Sequence, residues 1–104
     1  MYLRGEKRYM EIKKLNYIGF KMGDYLTDLI RGSGLSQRDI CNITYISESM
    51  LSKYCNDVKF PSKRTFKAIL DTVVKELPFE NRNDLIAEKM AVYESIKQSY
   101  LKVR

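Results

Sequence analysis

No histidine occurs in this chain of 104 residues. Histidine is the commonest general base and a frequent metal ligand, so its absence removes the usual basis for acid–base or metal chemistry. The sequence also lacks a glycine-rich phosphate loop after a strand, a paired-carboxylate arrangement and a nucleophile with a partner base. Nothing in it supports an enzyme, and no catalytic residue, metal site or cofactor is expected. Cysteine is scarce: Cys41 and Cys55 are the only two, and their spacing fits no CxxC or other metal-ligand pattern. They are expected as reduced thiols inside helices, Cys41 where a helix pair needs a small buried residue. No apolar run approaches the roughly 18 residues needed to cross a bilayer. The opening Met-Tyr-Leu-Arg-Gly-Glu-Lys-Arg-Tyr lacks the apolar stretch of a secretory signal, which leaves a cytoplasmic protein without a membrane partner as the expectation. Repeats, low-complexity tracts and strand alternation are absent too.

What is present is the balance of a single folded domain, 44% hydrophobic and 31% charged. The net charge of +6 invites a nucleic-acid partner, since phosphates reward clustered Lys and Arg. Its distribution is uneven. Residues 1–22 carry six basic and two acidic groups, whereas residues 23–62 carry four basic and five acidic. Residues 63–77 sum to +2 and residues 78–104 to +1. In the first segment Arg4, Lys7, Arg8, Lys13, Lys14 and Lys21 are interleaved with Tyr2, Tyr9 and Tyr17 without a clean period. That segment reads as a loosely ordered arm or a short helix with a solvated face, as a basic arm lying along DNA, or as a stretch whose apolar residues cover the core.

Beyond the arm the pattern is helical throughout. Tyr25, Leu26, Leu29 and Ile30 outline one apolar face of a helix from near Asp24 to Arg31, stopped by Gly32-Ser33-Gly34. Ser36 caps a second helix, with Asp39 three residues on as a capping-box acid and Ile40 and Ile43 as its apolar contacts. Ser47 caps a third, in which Leu51 and Tyr54 point inward, and which ends near Asn56-Asp57, residues that tolerate left-handed geometry. Ser62, after Pro61, caps a fourth whose core stripe is Phe66, Ile69, Leu70 and Val73. Pro78 breaks the chain, and a last helix capped by Asn81 or Asn83 is predicted from about Asp84 to Leu101. Its stripe of Leu85, Ile86, Met90, Tyr93, Ile96 and Tyr100 suits either the core or a dimer surface. The class is all-α, divided into a basic arm (1–22), a four-helix unit (23–77) and a C-terminal helix (78–104).

Residues 35–62 carry the functional signal. Leu35-Ser36-Gln37, Ile40-Cys41, Ile46-Ser47, Leu51-Ser52-Lys53, Asn56 and Pro61-Ser62 stand in order at fixed offsets. This ordered set resembles the helix-turn-helix of the phage repressor family, which contains the Cro and CI repressors and many small bacterial regulators. The match runs without a gap and covers the first four helices, about half the chain. It implies a lambda-repressor-like bundle of about five helices, with the basic arm and the C-terminal helix added. It also implies roles for single residues. Ser47, Glu48, Ser49 and Lys53 would face base edges in the major groove, with Ser52 at the margin on phosphate or base. Gln37 would hydrogen-bond a phosphate, and Lys59, Lys63 and Arg64 would approach the sugar-phosphate chain.

The chain departs from that family at three places. Glu48 stands where glutamine or arginine is common; a carboxylate there either accepts from a cytosine amino group or marks a module no longer used on DNA. Tyr45 stands where the turn usually has glycine, which points to about 1 kcal/mol of strain or to a turn of different shape. Thr44 replaces a usual buried leucine. The resulting expectation is a sequence-specific DNA-binding transcription regulator of a bacterial or phage operon, a homodimer on double-stranded DNA. The alternative is a protein-binding module that keeps the helix-turn-helix shell, such as an antitoxin or a mobile-element inhibitor of the anti-CRISPR kind.

Overall fold

The computed structural model describes residues 21–103, all of them in helices or in the short connections between helices. Apart from Lys21 and Met22, the basic arm lies outside the described residues. Five helices follow in order: α1 (Met22–Ser33), α2 (Gln37–Thr44), α3 (Glu48–Cys55), α4 (Lys63–Val74) and α5 (Phe79–Val103).

Serine chemistry sets most of the helix starts. The Ser36 hydroxyl accepts from the Asp39 N–H at 3.1 Å, and the Asp39 carboxylate accepts from the Ser36 N–H at 3.0 Å, a complete capping box. Ser47 accepts from the Met50 N–H and Ser62 from the Thr65 N–H, each at 3.1 Å. Gly34, at φ 79°, ends α1 in the left-handed conformation, and its N–H donates to the Arg31 carbonyl.

The predicted apolar faces of α1 (Tyr25, Leu26, Leu29, Ile30) and α4 (Phe66, Ile69, Leu70, Val73) are buried in one shared core, with Ile40, Leu51 and Tyr54 between them. Two predicted features differ. Ile43 is 40% exposed, because on the short helix α2 the core-facing line runs through Ile40 and Cys41. The last helix begins at Phe79, not near Asp84. Pro78 supplies the first helical carbonyl, which accepts from the Arg82 N–H at 3.0 Å, so the proline opens the helix and neither Asn81 nor Asn83 caps it.

Most of the apolar stripe of α5 lies within the molecule, while Tyr100 near its end is 40% exposed. Leu85, Tyr93 and Ile96 are buried, Ile86 and Met90 half-buried. A row of aromatic rings runs from α1 to α5: Tyr25 on Phe66 at 6.0 Å, Phe66 on Tyr93 at 4.8 Å, Tyr93 on Phe60 at 5.8 Å and Phe60 on Tyr100 at 4.7 Å. The Tyr93 hydroxyl donates to the Pro61 carbonyl at 2.9 Å, tying α5 to the loop that leaves α3. Both cysteines are free thiols, and burial pushes each up from its ordinary pKa, Cys55 against a lowering hydrogen bond to Thr27.

One contact joins the start of α1 to the end of α3. The Gly23 N–H donates to the Asp57 carboxylate at 2.8 Å, and Asp57 itself is left-handed at φ 60°. The backbones are so close that a β-carbon on Gly23 would overlap the Cys55 carbonyl. Gly23→Ala is therefore expected to lower stability by about 2 kcal/mol, within the usual cost of overpacking, although alanine is the better helix former. Chemical denaturation checks this; a variant as stable as the parent would show that the backbones are not in contact.

Candidate nucleic-acid interface

α2 and α3 are joined by Tyr45, Ile46 and Ser47 alone. Tyr45 takes the left-handed conformation itself, at φ 64° and ψ 16°, and its N–H donates to the Cys41 carbonyl at 2.9 Å. The turn thus has the shape that glycine would favour, built with a tyrosine. Thr44 adapts to a half-buried site by hydrogen bonding: its hydroxyl donates to the Ile40 carbonyl at 2.7 Å and accepts from the Ile46 N–H at 3.3 Å. Beneath the turn, Ile40 of α2 and Leu51 of α3 are fully buried in the same core.

That packing divides α3 into two faces. Leu51 and Tyr54 are buried and Met50 is half-buried. Glu48, Ser49, Ser52 and Lys53, at i, i+1, i+4 and i+5, form the opposite face and are all exposed, as is Ser47 at the cap. An α-helix with its side chains is about 10–12 Å across, a width that a major groove about 12 Å wide admits.

The serines on this face keep hydrogen-bonding capacity. Ser47 uses its oxygen as an acceptor within the cap, which leaves its proton to donate outward. Ser52 is fixed from behind, its hydroxyl accepting from the Asn56 amide at 3.2 Å. The same amide donates to the Ser52 carbonyl at 2.8 Å. Lys53 makes no ion pair among the described residues.

The other sequence-predicted residues surround this face. Gln37 is exposed in the first turn of α2, Lys59 in the loop after α3, and Lys63 and Arg64 at the start of α4. Lys63 is engaged with Glu94 of α5 at 3.4 Å, so among the described residues this predicted phosphate contact already has a partner carboxylate. Lys59 and Arg64 have none among the described residues. Acids stand close by: the Ser36 backbone N–H, followed by its hydroxyl, holds the Asp39 carboxyl below the usual carboxylate range, so it is ionised at neutral pH.

Two residues of this surface were not singled out as site residues from the sequence. Arg38, in the first turn of α2, forms an ion pair with Glu48, the first residue of α3, its Nε 3.7 Å from Oε1. Both lie near helix starts ten positions apart, a juxtaposition that only the turn geometry creates. Tyr45 is 93% exposed and projects a ring from a strained backbone position. Relief of that strain outweighs the greater freedom of an unfolded glycine, so Tyr45→Gly is expected to raise stability by about 0.5 kcal/mol or slightly more. A thermal melt reads this as an increase of a few degrees; a decrease would show that the turn is not left-handed at residue 45.

No protein-family model, no curated protein and no solved structure matches the chain.

Proposed function

We propose that this chain is a sequence-specific DNA-binding transcription regulator in which α2 and α3 form a lambda-repressor-like helix-turn-helix and α3 enters the major groove. The observation that carries the reading is the division of α3. Leu51 and Tyr54 anchor one face in the core, while Ser47, Glu48, Ser49, Ser52 and Lys53 present a continuous exposed polar face. The serines and Lys53 of this face can discriminate base edges by hydrogen bonding in the major groove.

Gln37 and the open start of α2 stand against a phosphate, favoured by the unpaired N–H groups of a helix N-terminus. Lys59 and Arg64 contact the backbone on the far side of α3. Because residues 23–62 carry one more acid than base, the flanking basic residues supply much of the salt-dependent affinity, and the basic arm belongs to that set. The protein acts as a homodimer on a near-palindromic site, with its two α3 helices about 34 Å apart. Its place is the cytoplasm, on a bacterial or phage operon.

A second reading has its own support. Tyr45, at 93%, and Ile43, at 40%, are exposed hydrophobic residues at the α2–α3 turn, which suits a protein partner of an antitoxin or an anti-CRISPR-type inhibitor.

Selection from a random duplex library followed by anisotropy titration separates the two. The DNA reading expects an enriched motif and tighter binding to it than to random duplex at physiological salt. Lys53→Glu is expected to weaken that binding by roughly 10- to 100-fold, the value of a good base contact, with no loss of folded helix content. Absence of any sequence preference would overturn the proposal.

A further inference from the structure

Glu48 is the residue that fits a DNA surface least well, because an unpaired carboxylate at the start of α3 would repel phosphate. The structure gives it a partner. Arg38 reaches from α2 to Glu48 and pairs through Nε at 3.7 Å, and both side chains remain largely exposed, 76% and 65%. No other ion pair engages Arg38 among the described residues.

Engagement at Nε leaves the Nη donors of the guanidinium unused. Arginine carries its donors in a planar fork, so one edge can hold a carboxylate while another meets a second anion. The Ser36–Asp39 capping box engages the Ser36 and Asp39 N–H groups and leaves those of Gln37 and Arg38, in the same first turn, uncapped.

We infer that Arg38 is a further phosphate-contacting residue and that Glu48 is its positioning residue, rather than a reader of cytosine. Glu48 holds the guanidinium across the α2–α3 turn, and Arg38 in turn neutralises the carboxylate that would otherwise face the DNA. This inference rests on the DNA-binding reading. It converts the least suitable residue of the α3 face into part of a charge-balanced clamp on the strand bordering the groove.

The test uses the full chain and a duplex selected by the unmodified protein, with affinity measured between about 50 and 200 mM salt. Arg38→Ala is expected to weaken binding roughly tenfold and to lower the salt slope by about 0.9, the signature of one lost phosphate contact. Arg38→Lys keeps the slope and binds less tightly, because it keeps the charge and loses the fork. Glu48→Gln alone changes affinity by less than about threefold and leaves the selected sequence unchanged. In the Arg38→Ala background the same change raises affinity several-fold, because the carboxylate there is uncompensated. Thermal melts of each variant confirm that an exposed pair has been altered without loss of the fold. The inference is overturned if Arg38→Ala leaves both affinity and slope unchanged, or if Glu48→Gln switches the selected base at one position. If the unmodified chain shows no duplex binding at all, the DNA-binding reading itself falls, a result distinct from either of those.

Discussion

The placement of α3 depends on the backbone-to-backbone approach of Gly23 to Cys55 and the hydrogen bond from Gly23 to Asp57. α3 is a helix of eight residues, too short to be stable by itself, so its orientation comes from what it packs against. At its C-terminal end the glycine lets α1 come close enough for Asp57 to accept the Gly23 N–H. At its N-terminal end the left-handed Tyr45 sets the angle from α2, and between these ends Leu51 and Tyr54 are buried in the core. A helix held at both ends and along one face has only its other face to offer.

That offered face is polar, and its chemistry has two layers. The serine caps satisfy backbone donors inside the protein, while serine, glutamate and lysine side chains stand outward. Two basic groups of this surface are balanced locally, Arg38 by Glu48 and Lys63 by Glu94, whereas Lys53, Lys59 and Arg64 make no ion pair among the described residues. The α3 face itself carries one acid and one base among its serines, which suits selective hydrogen bonding better than bulk electrostatic attraction. In the proposed function, the serines and Lys53 of α3 therefore choose the sequence, and flanking basic residues supply the attraction. The aromatic row from Tyr25 to Tyr100 and the Tyr93–Pro61 hydrogen bond make α5 part of the same rigid support, since they lock the loop that follows α3.

Much of this architecture was legible in the sequence, for definite reasons. The stripes of α1 and α4 repeat at helical spacing, and serines stand at the caps of α2, α3 and α4, so period and cap chemistry located them. What was not legible depended on distant or competing contacts. Gly23 and Asp57 are separated by 34 positions, and nothing local marks their meeting. Pro78 reads equally as the end of one helix or the start of the next, and only the Arg82 hydrogen bond to its carbonyl decides between them. Ile43 looked like core because it is apolar, yet a short helix has room for few inward positions. Lys89, a charged residue on α5, is buried. On the candidate surface the α3 face could be read from alternation with Leu51 and Tyr54, whereas the Arg38–Glu48 pair needed the turn in three dimensions.

The central claim is that the exposed face of α3 is the surface that meets DNA. Amide chemical-shift mapping of the full chain with a selected duplex tests it most directly. The account predicts that the largest changes fall on residues 47–53, with smaller ones at Gln37, Lys59 and Arg64, while the buried face of α4 is unmoved. Changes confined to α5 or to the opposite side of the molecule, with residues 47–53 unaffected at saturation, would contradict it.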